Sequence, residues 1–369
     1  MKKKIISVVG ARPNFMKVAP LDRAFKKYAG QIQHLIVHTG QHYDVNMSDA
    51  FFHDLEMPQP AYFLGVGSGS HAEQTANIML EFEKVCIVVR PDLVIVVGDV
   101  NSTIACALTA IKLGIRVAHV ESGLRSGDRT MPEEINRITT DSICDYCFVT
   151  EQSGLDNLLK EGRNPESVFF TGNTMIDSQF YASEKAKKSR IMNKLNLCEK
   201  EYILITLHRP SNVDSEEQLR SILEIFSEFS SIRKIVFPVH PRTRKNISNF
   251  GLEYLVKDNS NIMLTEPLGY IDFLNLMMNS DFVLTDSGGI QEETTALGIP
   301  CITTRTTTER PVTIDLGTNR LILPTPENIR IAIAEFIEGK RPKPRGSIPY
   351  WDGKAGERIV DKIINILEL

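Results

Sequence analysis

The sequence is poor in aromatic side chains and has no long hydrophobic run. Aromatic residues make up 7% of the 369 residues, and there is one tryptophan. No apolar stretch approaches the roughly 20 residues that a membrane-spanning helix needs. The apolar run after the first lysines stops at Gly10, too soon for the apolar region of a signal peptide. We therefore expect no membrane partner and a cytoplasmic location.

Cysteine is scarce as well. The six cysteines are scattered, mostly inside apolar runs, which is typical of reduced, buried thiols in a cytoplasmic protein. Cys144 and Cys147 form the one candidate redox or metal pair, but no second pair accompanies them, so we interpret both as core thiols. His34, His38 and His42 are spaced by four residues, but the first two belong to a predicted strand. We expect neither a bound metal nor another cofactor.

The sequence also lacks a positive net charge. Its formal net charge is −4, which argues against a nucleic-acid partner. Basic residues nevertheless concentrate in the loops that follow predicted strands, which indicates an anionic ligand. These residues are Arg12, Lys17, Arg125, Arg129, Arg137, Arg209, Arg305 and Arg310.

Apolar runs that alternate with helical patterns are abundant. Between Lys4 and Val149 polar residues rarely interrupt a run, as is typical of strands in a parallel sheet that is covered on both faces. A second series begins at Tyr202 after a polar segment. We predict an α/β protein with two Rossmann-like, doubly wound domains facing a central cleft. The predicted bounds are 1–172 for the first domain, 173–355 for the second and 356–369 for a terminal helix.

The stretch after Phe282 predicts an anion site. An apolar strand runs into Ser287, Gly288 and Gly289 and then into a helical pattern, so free backbone N–H groups would point at a ligand such as phosphate. Glu293, one turn later, would repel phosphate but can accept hydrogen bonds from sugar hydroxyls. Together they indicate a nucleotide. The alternative is an ordinary turn followed by an acidic first helical turn.

Three carboxylates follow predicted strand ends or begin a helix. Asp99 and Glu121 come after consecutive strands, and Glu133 opens a helix behind a proline. Because the carboxyl ends of parallel strands share one edge of a sheet, we expect the three to converge. For Glu133 alone, an ordinary helix start is an equal alternative. His208 and His240 follow strands of the second half in the same way.

Taken in order, these motifs resemble those of the non-hydrolysing UDP-N-acetylglucosamine 2-epimerases, and they span nearly the whole chain. The matching segments are Gly10-Ala11-Arg12-Pro13 with Lys17, Gly98-Asp99, His119 to Arg125, Pro132 to Arg137, Thr171-Gly172-Asn173, His208-Arg209, Pro238-Val239-His240, Asp286 to Glu293 and Thr308 to Pro311. The resemblance implies the two-domain architecture called GT-B, shared with many glycosyltransferases. It also implies a terminal helix that crosses back to the first domain, a UDP-sugar substrate and a homodimer.

The resemblance further implies epimerisation at C2, from UDP-N-acetylglucosamine to UDP-N-acetylmannosamine. The family's route is anti elimination of UDP to 2-acetamidoglucal followed by re-addition. The acid and base would be found among Asp99, Glu121 and Glu133, with the division between them open, and Lys17 and His208 would support them. Glu293 would bind the ribose and Tyr270 would lie near the uracil. Substrate-binding residues would be Arg12, Arg137, His240, Tyr270, Ser287, Gly288, Gly289, Glu293 and Arg310.

Departures from the family pattern bear on substrate and regulation. Asn14 stands where an acidic residue is usual. Tyr43 and Pro210-Ser211 replace residues that many bacterial members place beside a second, activating UDP-N-acetylglucosamine, so we expect that second site to be weakened or absent. Four alternatives stay open: a 2-epimerase of a modified sugar such as UDP-2,3-diacetamido-2,3-dideoxyglucuronate, a hydrolysing 2-epimerase, a UDP-sugar glycosyltransferase, and an inert UDP-sugar-binding module.

Overall fold

The computed structural model describes residues 2–40, 54–257 and 259–369. The chain forms two compact units. One comprises Met1–Tyr181 together with Pro349–Leu369, and the other comprises Ala182–Ile348. Each unit contains one parallel β-sheet with helices between successive strands, which confirms the prediction of two Rossmann-like α/β halves.

The first unit has a seven-stranded sheet in which every neighbouring pair is parallel. Its strands are β1 (Lys3–Val9), β2 (Ile32–His38), β3 (Tyr62–Phe63), β4 (Leu93–Val97), β5 (Arg116–Ser122), β6 (Tyr146–Val149) and β7 (Val168–Phe170). The spatial order is β3-β2-β1-β4-β5-β6-β7, so the chain winds outward from β1 first one way and then the other. This is the doubly wound order of a Rossmann fold.

Helices connect these strands. They are α1 (Arg12–Phe25), α2 (His71–Val89), α3 (Asn101–Lys112), α4 (Pro132–Ile143) and α5 (Gln152–Lys160). Helix α6 (Thr174–Ala186) follows β7, and the boundary between the two units falls within it, after Tyr181. The last helix of the chain, α16 (Ala355–Ile366), belongs to the first unit. Short 3₁₀ helices occur at Lys26–Tyr28 and Pro165–Ser167. In the part of the chain that the structure describes, no helix combines the length and apolar character needed to cross a membrane.

The second unit repeats the same winding with six parallel strands. They are β8 (Tyr202–Thr206), β9 (Lys234–Pro238), β10 (Ile262–Thr265), β11 (Phe282–Thr285), β12 (Cys301–Thr304) and β13 (Asn319–Ile322), in the order β10-β9-β8-β11-β12-β13. Its helices are α7 (Ile191–Lys194), α8 (Pro210–Val213), α9 (Glu216–Ser230), α10 (Pro241–Asn249), α11 (Tyr254–Lys257), α12 (Tyr270–Asn279), α13 (Gly288–Leu297), α14 (Val312–Asp315) and α15 (Pro326–Ile337).

The central strands are buried on both faces, which explains their continuous apolar sequences. All five residues of β4 are buried, and so are all four of β11. In each sheet the winding reverses beside the first strand, between β1 and β4 and between β8 and β11. Ligands of such sheets bind at the carboxyl ends of the strands near this reversal. The fold therefore directs attention to the residues that follow those four strands.

The terminal helix α16 packs against α1 within the first unit. The carboxylate of Asp177 accepts hydrogen bonds from the backbone N–H groups of Ala355 (3.1 Å) and Gly356 (2.7 Å), which anchors the start of α16. A Cβ atom at Gly356 would lie 2.7 Å from Cβ of Pro20 and 2.9 Å from its carbonyl carbon. Only glycine therefore allows the two helices to approach this closely.

We predict that Gly356→Ala destabilises the protein. The added methyl group would force α16 away from Pro20, and overpacking of this kind costs about 1–3 kcal/mol. Gly30→Ala is the matched control, because a Cβ at Gly30 meets no atom within 4 Å. The measurement is the midpoint of the thermal unfolding transition of the full chain. Equal midpoints for the two variants would contradict the prediction.

Candidate active site

A buried ion pair lies at the end of β5. The ammonium of Lys17, from α1, is 2.6 Å from Oε1 of Glu121, and their side chains are 7% and 3% exposed. Glu121 has a φ of 74°, at an irregularity in the pairing of β5 with β6 between Val120 and Ser122. This left-handed conformation costs a non-glycine residue about 1 kcal/mol. The strained backbone turns the carboxylate toward Lys17.

Two neighbouring backbone turns shape the surroundings of this pair. Gly98, just after β4, has a φ of 68°, which favours glycine, and a Cβ there would lie 2.7 Å from Nζ of Lys17. The amide oxygen of Asn14 accepts hydrogen bonds from the N–H groups of Gly10 (3.0 Å) and Ala11 (2.9 Å). Its Nδ2 donates to the carbonyl of Val97 at 3.2 Å. An ionised acid could not make this last bond, which explains how an amide serves at this position.

The other two predicted carboxylates belong to the same unit. The carboxylate of Asp99 pairs with the guanidinium of Arg137, and that guanidinium also donates to Glu134 at 3.0 Å. Arg137 is therefore held between two acids. Glu133 is half-buried in the first turn of α4. Glu134, which the sequence analysis did not select, accepts hydrogen bonds from two backbone N–H groups in the preceding loop and is structural.

A second pair, absent from the predicted site, supports the end of β5. Nδ1 of His119 lies 2.7 Å from Oδ1 of Asp141, and Nε2 lies 2.8 Å from the carbonyl of Gly98. The other oxygen of Asp141 accepts the N–H of Gly123 at 3.0 Å. Burial opposes both charges, but their mutual attraction raises the pKa of His119 and lowers the pKa of Asp141. The pair anchors the backbone on both sides of the buried glutamate.

The cysteine and histidine candidates form local core contacts. Cys144 and Cys147 are buried free thiols whose sulfur atoms are 3.4 Å apart, and both lie near the carboxylate of Asp141. His34 contacts Asp22 and Ser7 through its two ring nitrogens. His42 lies outside the described residues, as does Tyr43, and the side chain of Arg12 is likewise not described.

In the second unit, α13 begins at the predicted anion site. Ser287 is its N-cap residue, and the backbone N–H of Ser287 donates to Oγ1 of Thr285 at 3.0 Å. A Cβ at Gly288 would lie 2.5 Å from Oε1 of Glu309, which is paired with Arg305 at 2.9 Å. Glycine therefore lets a buried ion pair pack against the first turn. N–H groups in the first turn of a helix can donate hydrogen bonds to an anion.

Tyr270, which is predicted to lie near the uracil, orients Glu293, which is predicted to bind the ribose. The hydroxyl of Tyr270, at the start of α12, donates to Oε1 of Glu293 at 2.6 Å, and both residues are buried. Arg310 is also held from α13, because its Nε lies 2.9 Å from Oε1 of Glu292. The structure thus brings Tyr270 together with Glu293, and Arg310 together with the neighbouring glutamate.

Asp286 organises the loop after β8. Its Oδ2 accepts the backbone N–H groups of His208 (2.9 Å) and Arg209 (2.8 Å) and the side-chain amide of Asn212 (3.0 Å). Its Oδ1 lies 2.9 Å from Nδ1 of His208. Although burial opposes its charge, these donors lower the pKa of Asp286. Asp286 belongs to one of the motifs but is not among the predicted site residues, although its place just after a buried strand was the available signal.

His240 lies beside His208, after the neighbouring strand β9. The two rings have centroids 5.4 Å apart. Nδ1 of His240 accepts the backbone N–H of Arg242 at 3.2 Å and so caps α10. Burial, followed by the electrostatic effect of the neighbouring His208, lowers the pKa of His240. Pro210 and Ser211 form the first turn of α8 directly after this site.

Comparisons with known proteins match this geometry to one family. The family model described as UDP-N-acetylglucosamine 2-epimerase matches residues 24–364. A UDP-N-acetylglucosamine 2-epimerase of Methanocaldococcus jannaschii is 43% identical over 97% of this chain and 98% of its own. A Pseudomonas aeruginosa UDP-2,3-diacetamido-2,3-dideoxy-D-glucuronate 2-epimerase is 37% identical over 98% of this chain and 100% of its own.

A solved structure extends the match to three dimensions. The crystal structure of the Methanocaldococcus jannaschii UDP-GlcNAc 2-epimerase in complex with UDP-GlcNAc and UDP superimposes with a TM-score of 0.88 at 42% identity. The match covers 98% of this chain and 99% of that one. The chain therefore belongs to the UDP-N-acetylglucosamine 2-epimerase family.

Proposed function

We propose that this protein epimerises C2 of UDP-N-acetylglucosamine and gives UDP-N-acetylmannosamine without releasing free sugar. The observation that carries the proposal is the buried Glu121, held at the end of β5 by the ammonium of Lys17. A module that only binds a UDP-sugar has no need to bury and pair a carboxylate in this way. The similarity to proteins named for this activity, over nearly the whole chain, supports the substrate.

The reaction needs a base and an acid because the C2 proton is not adjacent to a carbonyl. In the proposed route a carboxylate takes that proton, the C2–H electron pair forms a C1=C2 bond, and UDP leaves C1 with the electron pair of the C1–O bond. The intermediate is 2-acetamidoglucal. UDP then adds back to C1 while a carboxylic acid protonates the opposite face of C2. After one turnover the base is protonated and the acid is deprotonated. Proton exchange with solvent restores both groups.

We assign the acid and base to Asp99, Glu121 and Glu133, as expected from the sequence. The ammonium of Lys17 balances the charge of Glu121 inside a buried environment, where an unpaired charge would be costly. The guanidinium of Arg137 orients Asp99 and is proposed to contact the substrate. The proposal leaves the division between acid and base to experiment.

We assign nucleotide binding to the second unit. The turn at Ser287, Gly288 and Gly289 would bind the diphosphate, whose oxygens would accept hydrogen bonds from backbone N–H groups of the first helical turn. These donors would stabilise the charge of the leaving group. His208 would support the reaction. Because the hydroxyl of Tyr270 fixes one oxygen of Glu293, the carboxylate is held ready to accept hydrogen bonds from the ribose. Arg12, His240 and Arg310 would complete the anion site.

We also propose that the protein acts as a cytoplasmic homodimer. One side of α2 carries exposed apolar side chains, with Leu80, Ile87 and Val88 exposed by 59%, 58% and 72%. The helix packs on α3 with its other side. An apolar helix face can pair with its own copy about a two-fold axis, which is the commonest symmetry of soluble oligomers. A second copy of the chain is the proposed occupant of this face.

The first prediction about function concerns chemistry. With UDP-N-acetylglucosamine in D₂O, the product should carry deuterium at C2. Asp99→Asn, Glu121→Gln and Glu133→Gln should each lower the rate by about a hundredfold or more, the usual acid–base contribution. Proton NMR reads both results, and Glu166→Gln, an exposed change in the same unit, is the control. Near-normal rates in all three variants would refute the acid–base assignment. Turnover of a diacetamido-uronate analogue alone would refute the proposed substrate.

The second prediction concerns the anion site. Gly288→Ala should weaken UDP binding by about tenfold or more, because its methyl group would displace the paired Glu309 or the first turn of α13. Gly346→Ala, in the same unit, meets no atom within 4 Å and should bind UDP normally. Isothermal titration calorimetry measures both constants. Unchanged affinity in Gly288→Ala would refute the proposal that the diphosphate binds at this turn.

The third prediction concerns assembly. Light scattering after size-exclusion chromatography should give twice the 41.5 kDa chain mass. Val88→Glu should shift the protein toward the monomer, because it places a charge in the apolar contact. Leu323→Glu replaces a similarly exposed apolar residue of the second unit and should leave the dimer intact. A monomeric wild-type chain refutes the dimer, and a dimeric Val88→Glu variant refutes this face.

A further inference from the structure

We infer that Asp286 is a positioning residue that holds the proton of His208 on Nδ1 and leaves Nε2 as the nitrogen available to a ligand. The inference rests on the proposed function for the role of His208. It goes further by assigning which ring nitrogen acts and which residue selects it. His208 and Asp286 follow β8 and β11, the two adjacent strands at which the sheet reverses its winding.

The two carboxylate oxygens of Asp286 make different contacts. Oδ2 accepts three hydrogen bonds, from the N–H groups of His208 and Arg209 and from Nδ2 of Asn212, at 2.8–3.0 Å. Those bonds fix both the loop and the carboxylate plane. Oδ1 is buried, and among the described residues no donor meets hydrogen-bond geometry with it. Its close polar contact is Nδ1 of His208, at an ion-pair distance of 2.9 Å.

The charge of Asp286 decides the tautomer of His208. Burial opposes its charge, but the His208 side chain and the backbone N–H groups of His208 and Arg209 lower the pKa of this carboxyl below its ordinary value. The three donors on Oδ2 stabilise the ionised form independently of the His208 ring. An ionised carboxylate only accepts hydrogen bonds. An unprotonated nitrogen 2.9 Å from this oxygen would set its lone pair against a negative charge, so the contact favours a proton on Nδ1. In the neutral ring Nε2 then keeps its lone pair.

The neighbouring His240 has the opposite arrangement. Its Nδ1 accepts a backbone N–H from Arg242, so in the neutral ring the proton is on Nε2. Two imidazoles with centroids 5.4 Å apart thus offer different groups: His208 a nitrogen that can accept a proton, and His240 an N–H that can donate to an anion. The structure assigns complementary chemistry to two residues that look equivalent in the sequence.

Asp286→Asn separates this positioning role from a structural one. The three donors around Oδ2 require an oxygen there, so the amide oxygen of the asparagine would take that place and the loop would keep its bonds. The NH₂ group would then face Nδ1 of His208 and donate to it. The ring would switch its proton to Nε2. In serine proteases the corresponding exchange leaves the geometry intact and lowers kcat by about 10⁴-fold.

The experiment uses full-length protein labelled with ¹⁵N in histidine, at a pH where titration shows the ring to be neutral. In the wild type, His208 should show a protonated Nδ1, with the resonance identified by its loss in His208→Gln. In Asp286→Asn the proton should move to Nε2, kcat should fall by about a hundredfold or more, and KM for the UDP-sugar should change by less than about threefold.

Asp281→Asn is the matched control. Asp281 is a buried aspartate just before β11, paired with Arg341 and Arg233. Its replacement removes a comparable ion pair from the other end of the same strand, so it should leave the His208 tautomer and kcat unchanged.

A neutral wild-type His208 with its proton on Nε2 would overturn the inference, whether or not Asp286→Asn folds. So would Asp286→Asn with the proton still on Nδ1 and a normal kcat. Loss of kcat without a change of tautomer, accompanied by a similar loss in Asp281→Asn, would also overturn it in favour of a structural role. A wild type that shows the expected tautomer but no epimerase activity would refute the proposed function while supporting the assignment of the proton.

Discussion

The buried carboxylate of Glu121 is the constraint to which the rest of the first unit responds. An unpaired charge at this depth would cost several kcal/mol, and breaking such a pair costs about 3–5 kcal/mol. Lys17 supplies the opposite charge, and Gly98 leaves room for its ammonium. The left-handed backbone of Glu121 needs support on both sides. The buried His119–Asp141 pair provides it through the carbonyl of Gly98 and the N–H of Gly123. These requirements explain why several polar groups lie inside an otherwise apolar sheet.

The second unit meets a related constraint with a different residue. Asp286 is a buried acid after β11, and it is stabilised by backbone and amide donors together with an imidazole rather than by a lysine. Both units thus place a buried, paired acid near the reversal of winding, because Glu121 lies at the end of β5, the neighbour of β4, and Asp286 follows β11. Strand ends at this point leave backbone groups and side chains without partners in the ladder, so ligand chemistry and structural anchoring compete for the same few residues.

The amide of Asn14 shows how a departure from a family pattern is accommodated. Its oxygen accepts two backbone N–H groups, as a carboxylate would, and its nitrogen adds a bond to the carbonyl of Val97. The turn between β1 and α1 is therefore kept, and one negative charge fewer lies near Glu121. Substitution of an acid by its amide at this position does not by itself argue against the family's chemistry.

The sequence by itself determined the two Rossmann-like halves, because strands such as Leu93–Val97 and Phe282–Thr285 are buried on both faces and so read as continuous apolar runs. It did not reveal β3, β7 or β13, which are short and carry half-buried residues. The motif positions at strand ends were also readable, since parallel strands end at one edge. Only the tertiary structure decided the partners: Tyr270 with Glu293, Asp99 with Arg137, and Asp286 with His208. These contacts join residues far apart in the chain, so no local pattern encodes them, and they depend on how neighbouring strands are ordered in each sheet.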